Sequence, residues 1–493
     1  MKNTMMLIML MLLAVSASAE KYEEDWSSLR RHSVPEWLDG MKFGIYCHWG
    51  PQTIQLVEKQ KGNEISRPEA FEMWRGEKFD AAAWVDLFEK AGAQFAGPVA
   101  WHGSGILNWD SDFSDWTMAK RGPKIDMVGE LVSELRKRNM KVLMSFHNNR
   151  SIWGQVSPEN KLVLDPAGEK EEPLYAANEG RRDEQLLEGW FARMKEAIDK
   201  YAPDMVWVDT SYGGTVGAEL QNRSIQGRHL PGKDNAIRTI PEPWQQKHLA
   251  YYFNQAAADG REVEFIYKSF DIPPGIGMRD IENGSLIGLQ YDPWMADINM
   301  AHHLEWGTPW FYNPNNPMKS ANHLVDLLVD LASKNGRMLL SVPPMADGSF
   351  SADQVKQLTD LGNWLKLNGE AVYDTVPWSY FGEGPTEETS PGHHQHGTWD
   401  GKDENIPHWG AEDIRFTQKN KILYAIVLGW PGEKLKIRTL GHAGKIYPGE
   451  FQSLELLGCE ETLEWTQSPE ALTVRFPKEK PCDFAYVLKI ERK

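Results

Sequence analysis

Ionisable side chains lie at the ends of four apolar runs that are predicted to be buried β-strands. His48 follows KFGIYC, His102 follows GPVAW, His147 follows VLMSF and Asp209 follows DMVWV. A carboxylate in such a place could act as a nucleophile or as a general acid or base, and imidazoles could hydrogen-bond a polar ligand. A single aspartate of this kind is more often a cap or turn residue, and a single histidine is as often structural. Several such ionisable side chains at one edge of a sheet would favour a binding or catalytic site.

Histidines at such an edge could also bind a metal ion, above all zinc. No HxH or HExxH pair occurs among the strand-end histidines. A second group, His393, His394 and His396, has spacing that suits a metal, but it lies in a polar stretch, where solvated loop histidines or adventitious metal binding are predicted. We therefore expect no metal and no cofactor.

The elements that would position these residues alternate along the chain. Predicted strands cover residues 42–46, 94–100, 141–146, 204–208, 263–267 and 338–342, and predicted helices include 127–138 and 323–333. This alternation is typical of βα units around a parallel sheet, and in an α/β barrel of the (β/α)8-like (TIM-type) kind the carboxyl ends of all strands open on one face. An open doubly wound sheet would normally carry a glycine-rich phosphate loop. Neither GxGxxG nor GxxxxGK[ST] occurs, which disfavours nucleotide chemistry.

The pattern changes after residue 373. Residues 382–410 are rich in Gly, Pro, His, Glu and Thr, and short apolar segments separated by turns follow them, as in a small antiparallel β-sandwich. The predicted organisation is a signal peptide (1–19), a catalytic barrel (20–381), a connector (382–410) and a C-terminal β-sandwich (411–493).

The amino-terminal residues predict export. Lys2 precedes a Met- and Leu-rich apolar stretch that ends in small residues up to Ala19, which is the pattern of a secretory signal peptide. We expect cleavage near Ala19 and a periplasmic or secreted protein. No later stretch reaches the roughly 18 apolar residues that a membrane span needs. The net charge of −17 disfavours a nucleic-acid or anionic-membrane partner.

The cysteine and aromatic content says little about disulfide bonds or about sugar binding. With only Cys47, Cys459 and Cys482 the fold cannot depend on a disulfide framework, although one bridge between Cys459 and Cys482 is possible. The 21 tryptophans and 15 tyrosines would suit the apolar faces of sugars, but on their own they are better explained by a large aromatic core.

Several strings, in order along the mature chain, carry a resemblance to one family. They are WLDGMKFGIYCHWG, FSDWTMAKRGPKIDMVGELVSELRKRNMK, KYAPDMVWVDT, LVDLLVDLASKNGRMLLSVPPMADGSF and LGNWLKLNGEAVYDTVPW, then LYAIVLGWPGE and PCDFAYVLKI. Together they resemble the α-L-fucosidases of glycoside hydrolase family 29. The resemblance implies release of terminal α-L-fucose from an oligosaccharide or polysaccharide, with retention of configuration and without a metal.

The resemblance also assigns roles to residues. A retaining glycosidase needs two carboxyl groups about 5 Å apart, one as nucleophile and one as acid and then base. Asp209 takes the place of the nucleophile at the end of its strand. The residues expected to bind the sugar are His48, His102, His147, Trp207 and Trp74.

Glu282 is the candidate acid/base. It lies in MRDIENG, which resembles an LERG-like string that follows the lysine strand in bacterial members of the family. A solvated loop glutamate would look the same in sequence. Glu264, Glu305 and Glu383 therefore stay as alternatives, and Glu305 is the most plausible of them.

Two departures from the family pattern leave other functions open. Where many members read HHDGF, this chain has Gly103 and Ser104 after His102, and residues 213–244 after the nucleophile strand are longer than expected. A changed pocket rim could redirect recognition to a sulfated fucose or a galactose-configured sugar. The alternative from another class is a catalytically impaired relative that only binds carbohydrate.

Overall fold

The computed structural model describes residues 21–147, 183–209, 212, 240–268, 272–302, 310–386, 408–444, 446 and 449–493. The predicted signal peptide, the histidines at 393–396 and most of the segments 213–244 and 382–410 lie outside the described residues, and these predictions stay predictions. Within the described ranges, no helix combines the length and the apolar character that crossing a membrane requires.

Eight parallel strands close into a barrel in chain order. They are β1 (Phe43–Cys47), β2 (Phe95–Trp101), β3 (Lys141–Phe146), β4 (Met205–Val208), β5 (Glu264–Lys268), β6 (Met278–Asp280), β7 (Trp294–Asn299) and β8 (Gly336–Ser341). Pairing of β1 with β8 completes the ring. The strands are buried along almost their whole length because helices cover the outside of the barrel, as parallel sheets require. The predicted TIM-type barrel is confirmed.

The described helices belong mainly to the outer layer of the barrel. They are α1 (Trp26–Leu29), α2 (Glu36–Gly40), α3 (Pro51–Gln60), α4 (Arg67–Met73), α5 (Ala81–Lys90), α6 (Met127–Lys137), α7 (Asp183–Tyr201), α8 (Glu242–Ala258), α9 (Ala321–Ser333) and α10 (Ala352–Asn368). Side chains cap several amino-terminal ends, for example Asp126 on α6 and Ser320 on α9. The two helices named from sequence, α6 and α9, are confirmed with bounds shifted by one or two residues.

Apolar side chains fill the barrel interior. Phe95, Leu143, Met205, Ile266 and Leu339 belong to one buried cluster inside the ring of strands. Close contact between β2 and β3 depends on Gly97, because a Cβ atom there would lie 1.6 Å from the Leu143 carbonyl oxygen. The barrel is thus a packed core whose open positions are confined to the strand ends.

Two antiparallel sheets form the carboxyl-terminal part. The larger has the order β13-β16-β11-β10-β9 and the smaller β12-β15-β14. Their strands are β9 (Val376–Glu383), β10 (Ile414–Lys419), β11 (Ile422–Val427), β12 (Lys434–Ile437), β13 (Phe451–Leu456), β14 (Trp465–Gln467), β15 (Leu472–Arg475) and β16 (Tyr486–Arg492). Residues of both sheets share one apolar core, which fits the predicted sandwich.

Two details differ from the sequence-based expectations. The barrel was predicted to end at residue 381 and the sandwich to begin at residue 411, whereas Val376–Glu383 already pairs with β10 of the sandwich. Only two of its eight residues, Trp378 and Gly382, are buried, so the strand has neither a continuous apolar run nor a regular alternation that sequence could reveal. The bridge considered between Cys459 and Cys482 is not formed, and both are free thiols. Each sulfur instead faces a nearby backbone carbonyl, that of Glu461 or that of Phe484.

Buried charges join the sandwich to the barrel. Asp330 on α9 is 2.6 Å from the Arg415 guanidinium of β10 and 2.8 Å from the Lys334 ammonium. All three side chains are almost fully buried. Lys334 and Arg415 hold the pKa of Asp330 below its usual value, although burial alone would raise it. Removing one partner of such a group would leave an uncompensated buried charge, so the contact fixes how α9 meets the sandwich.

Asp326, one turn before Asp330 on α9, makes stability depend on pH. Burial, with Asp413 and Asp330 nearby, raises its pKa to about 8. The folded protein therefore binds this proton more tightly than the unfolded chain, whose aspartate pKa is about 4. The contribution of Asp326 to stability is complete below pH about 4 and is lost as the pH rises toward about 8.

Replacement of Asp326 by asparagine is expected to remove this loss. The variant should melt a few degrees above the wild type at pH 8, and the difference should shrink as the pH falls toward 5. Thermal unfolding of both proteins across this range measures the difference. Asp292→Asn, an exposed site, is the control for a change of net charge. Parallel curves for Asp326→Asn and the wild type would contradict the expectation.

Candidate active site

Asp209 lies at the open carboxyl end of the barrel. Its backbone N–H donates to the Phe146 carbonyl oxygen at 3.0 Å, which extends the pairing of β4 with β3 by one residue. Its side chain is 29% exposed, and one carboxylate oxygen is 3.4 Å from Nδ1 of His147. Asp209 is therefore held at a strand end with a face open to an incoming ligand.

Three strand-end histidines converge next to Asp209. His48, His102 and His147 each offer a ring nitrogen, and these nitrogens lie within 4.8 Å of one another. His48 hydrogen-bonds Ser341 Oγ through Nδ1 at 2.9 Å, and Nδ1 of His102 is 3.3 Å from the Gln52 amide nitrogen. Each of these two rings is thus held by a neighbour through one nitrogen.

The histidine group is suited to hydrogen-bonding neutral hydroxyls. Burial, together with the neighbouring His147 and His102, holds the pKa of His48 well below its ordinary value, so this ring is neutral near pH 7. A neutral imidazole has one donor and one acceptor, which matches a sugar hydroxyl. The same closeness of nitrogens would suit a metal ion, so the expectation of no metal stays a prediction.

Aromatic rings surround the histidines. Trp310 lies 5.3 Å from His48 between ring centres, and Phe311 lies 5.0 Å from His102. Neither was singled out from sequence, because only the folded chain brings them to the strand ends. Trp207, which was expected to bind sugar, is fully buried with its ring 4.6 Å from that of His147. It supports the histidine from the barrel interior.

Trp74, which was expected to bind the sugar, lies in the interior of the protein behind Trp49. It is fully buried, and its ring centre is 4.8 Å from that of Trp49, the residue after His48. Its position supports the rim through Trp49. Direct contact of Trp74 with a sugar stays a prediction.

Glu282 lies two residues beyond β6, beside a buried cation. Its carboxylate is 3.5 Å from the Lys268 ammonium, and the side chain is 12% exposed. Lys268 is the last residue of β5, and it also contacts Asp297 at 2.5 Å and Asp280 at 3.0 Å. Side chains of β5, β6 and β7 and of the segment after β6 therefore meet at one ammonium group.

Electrostatics link this cation to both candidate catalytic carboxylates. Burial disfavours the ammonium form of Lys268, but the surrounding carboxylates outweigh burial and hold its pKa well above the ordinary value. Four carboxylates contribute, in decreasing order Asp280, Asp297, Glu282 and Asp209. Lys268 is therefore charged at every working pH and lies within electrostatic range of Asp209 and Glu282 together.

The alternative acid/base candidates are Glu264, Glu383 and Glu305. Glu264 begins β5, at the opposite end of the barrel, where it is fully buried and 3.7 Å from His32. Glu383 accepts hydrogen bonds from backbone N–H groups of Arg438 and Thr439 in the sandwich. Neither is at the open strand ends. Glu305 lies outside the described residues.

The rim residues that depart from the family pattern, Gly103 and Ser104, lie in a turn directly after His102. A Cβ atom at Gly103 would meet only the His147 carbonyl oxygen, at 3.6 Å, so the backbone has room for a side chain there. Ser104 is 3% exposed, and its hydroxyl accepts from the Ile106 N–H at 3.4 Å. Ser104 is thus part of a tight turn.

Comparison with known families agrees with this geometry. The family profile described as Alpha-L-fucosidase matches residues 9–370, and that described as Alpha-L-fucosidase C-terminal domain matches residues 409–491. The chain belongs to the alpha-L-fucosidase family. The predicted resemblance is confirmed, and with it the expected class of enzyme, a glycosidase acting on α-L-fucosides.

Similar proteins of this family match the chain over nearly its whole length. Tissue alpha-L-fucosidase of Mus musculus is 24% identical over 97% of this chain and 96% of its own length. Plasma alpha-L-fucosidase of Homo sapiens is 24% identical over 96% and 92%.

Solved alpha-L-fucosidases share the fold. The Thermotoga maritima alpha-fucosidase in complex with fucose superposes with a TM-score of 0.68 at 23% identity, covering 95% of this chain and 100% of that one. A covalent intermediate of the Bacteroides thetaiotaomicron enzyme superposes with a TM-score of 0.61 at 17% identity, covering 97% and 98%. This chain thus shares its overall fold with solved alpha-L-fucosidases.

Proposed function

We propose that this fucosidase is an exo-acting, retaining hydrolase in which Asp209 is the nucleophile and Glu282 the acid and then the base. The protein is exported, and its substrate is an oligosaccharide or polysaccharide with terminal α-L-fucose. The observation that carries the proposal is the placement of two carboxylates after β4 and β6: Glu282 is 3.5 Å from the ammonium of Lys268, and Asp209 is within electrostatic range of the same ammonium.

Asp209 suits the role of nucleophile. It is partly exposed, it follows β4 without an intervening loop, and His147 is within 3.4 Å of its carboxylate. A nucleophile on a strand end is positioned more rigidly than one on a loop. In the first step an oxygen of Asp209 forms a bond to the anomeric carbon while the bond from that carbon to the leaving oxygen breaks.

Glu282 suits the role of acid and base. In the first step its proton passes to the leaving oxygen, so that the aglycone departs as a neutral alcohol. In the second step the carboxylate takes a proton from water, the water oxygen bonds to the anomeric carbon, and the ester to Asp209 breaks. Both carboxyl groups return to their starting forms.

The histidines and aromatic rings support recognition of one sugar. His48, His102 and His147 present ring nitrogens beside Asp209, and Trp310 and Phe311 add apolar faces next to them. Alternating hydroxyls and apolar C–H faces of a deoxy sugar match this combination. Ser104 is tied into a turn, so its difference from the family pattern removes no group from the chemical step, which argues against a protein that only binds carbohydrate.

The stereochemistry of hydrolysis tests the mechanism. During cleavage of an aryl α-L-fucoside followed by proton NMR, we expect α-L-fucose to appear first and the β-anomer only later, by mutarotation. A double displacement retains configuration, whereas direct attack by water inverts it. If β-L-fucose appeared first, the nucleophilic role of Asp209 would be wrong.

A comparison of hydrolysis rates distinguishes the alternative sugars. Aryl glycosides of sulfated fucose and of α-L-galactose are compared with the fucoside at equal concentration. We expect the fucoside to give the highest kcat/KM. A higher value for either analogue would move the proposal to that sugar without changing the mechanism.

A further inference from the structure

Lys268 has an uncommon environment for a lysine. Its side chain is 1% exposed, and its ammonium is held by Asp297 at 2.5 Å, Asp280 at 3.0 Å and Glu282 at 3.5 Å. The ring of Trp207 covers it, with the ring centre 4.9 Å from the nitrogen. Several partners around a buried ammonium leave it little freedom to move, so its position relative to Glu282 is fixed by the fold.

A cation at this distance from the acid raises a difficulty. It favours the ionised form of Glu282, whereas the first step needs that carboxyl protonated. Asp297 offsets the cation, because it pairs with the ammonium through one oxygen and accepts a hydrogen bond from the Tyr46 hydroxyl through the other, at 3.1 Å. Asp280 beside it is fully buried, and burial together with Asp297 raises its pKa well above the usual value.

The first step moves a negative charge from one carboxylate to another without changing the total charge near the ammonium. Lys268 and Asp297 form a neutral pair, Asp280 takes no part in the step, and the resting enzyme adds one negative charge on Asp209. In the glycosyl-enzyme Asp209 is an uncharged ester, while Glu282 has lost its proton and is negative. The total charge within reach of the ammonium is therefore the same before and after the first step, although the negative charge has moved from one carboxylate to the other.

We infer that Lys268 is a positioning residue that holds Glu282 in place and stabilises its carboxylate form in the glycosyl-enzyme. This inference rests on the proposed role of Glu282. It gives the ammonium a part in both steps: it fixes the carboxyl that donates the proton, and it keeps the resulting carboxylate ready to accept one from water. Asp297 prevents the same ammonium from ionising Glu282 too early.

The pH dependence of Lys268→Met tests this role, since methionine has a similar length and no charge. The alkaline limb of kcat/KM for an aryl α-L-fucoside reports loss of the proton from the acid. We expect this limb to move to higher pH by about 1 unit or more, because an opposite charge within about 4 to 6 Å shifts a pKa by this amount. Other titrating groups near the ammonium are Asp209, Asp280, Asp297, Tyr46 and His48.

A slower second step is expected as well. Without the ammonium, the carboxylate of Glu282 is less stable in the glycosyl-enzyme, and a substrate with a good leaving group should give a burst of aryl alcohol followed by a slower steady rate. Lys268→Arg keeps the charge and should leave the alkaline limb where it is in the wild type. A merely structural lysine would lower activity in Lys268→Met without moving the limb, and that result would overturn the inference.

A second variant tests the inference if Lys268→Met does not fold. Lys268→Met combined with Asp297→Asn removes both members of the ion pair, so that neither is left without its partner. It is expected to move the limb in the same direction but by a smaller amount, because the opposing effect of Asp297 is removed as well. An unshifted limb in this double variant would equally overturn the inference. Failure of the proposed function is recognised separately, by the absence of azide rescue in Glu282→Ala.

Discussion

Asp209→Ala is expected to lower kcat for an aryl α-L-fucoside by at least about 10⁴-fold, because removal of a covalent nucleophile costs this much or more in hydrolases. Binding should change far less, since the three histidines and the aromatic rings that would contact the sugar remain. The measurement is steady-state hydrolysis, together with binding of a non-hydrolysed fucoside. Asp112→Ala, whose side chain is 88% exposed, is the matched control and should behave as the wild type.

Azide gives this prediction a second readout. In Asp209→Gly the space left by the carboxylate should admit azide, which would attack the anomeric carbon directly and give the β-L-fucosyl azide. Product of the opposite configuration would mean that another nucleophile still acts. Equal hydrolysis rates for Asp209→Ala and the wild type would remove Asp209 from the mechanism altogether.

Glu282→Ala is expected to affect substrates unequally. For fucosides with poor leaving groups the loss should reach about 10²- to 10⁴-fold, the range for removal of a general acid or base. For an activated aryl fucoside the first step needs little protonation, so the glycosyl-enzyme should accumulate and a burst should be seen. Azide, which needs no general base, should restore turnover and give the α-L-fucosyl azide.

The control for Glu282→Ala is Glu262→Ala, an exposed glutamate near the start of β5. It should show neither a burst nor rescue by azide. If Glu282→Ala is not rescued, the acid/base role passes to Glu305, because the structure places Glu264 at the far end of the barrel and Glu383 in the sandwich.

The parts of the fold that sequence predicted well are those with a local physical signature. Strands β1 to β5 and β8 are continuous apolar runs, and the polar residues that end four of the first five are visible without any structure. β6 and β7 were missed for a physical reason. β6 has only three residues, and the runs of both strands are broken by buried carboxylates, Asp280 and Asp297, whose burial depends on Lys268.

The candidate site was predicted in part for the same reason. Asp209, His48, His102 and His147 could be named because they follow recognisable strands. Lys268 was not singled out, since its importance comes from contacts with residues 12 to 29 positions away. Trp310 and Phe311 approach the histidines only through folding, and Trp74 carries no local sign that it is packed behind Trp49.

The buried contact between Asp330 and Arg415 limits how this protein can be divided or recombined. A chain cut before β9 would keep all eight barrel strands but would expose the face of α9 that carries Asp330 and Lys334, and an isolated sandwich would expose Arg415. Barrel and sandwich should therefore unfold in one cooperative transition. A chimera with a relative should inherit α9 and β10 from the same parent, because the charges on these two elements compensate each other only as a set.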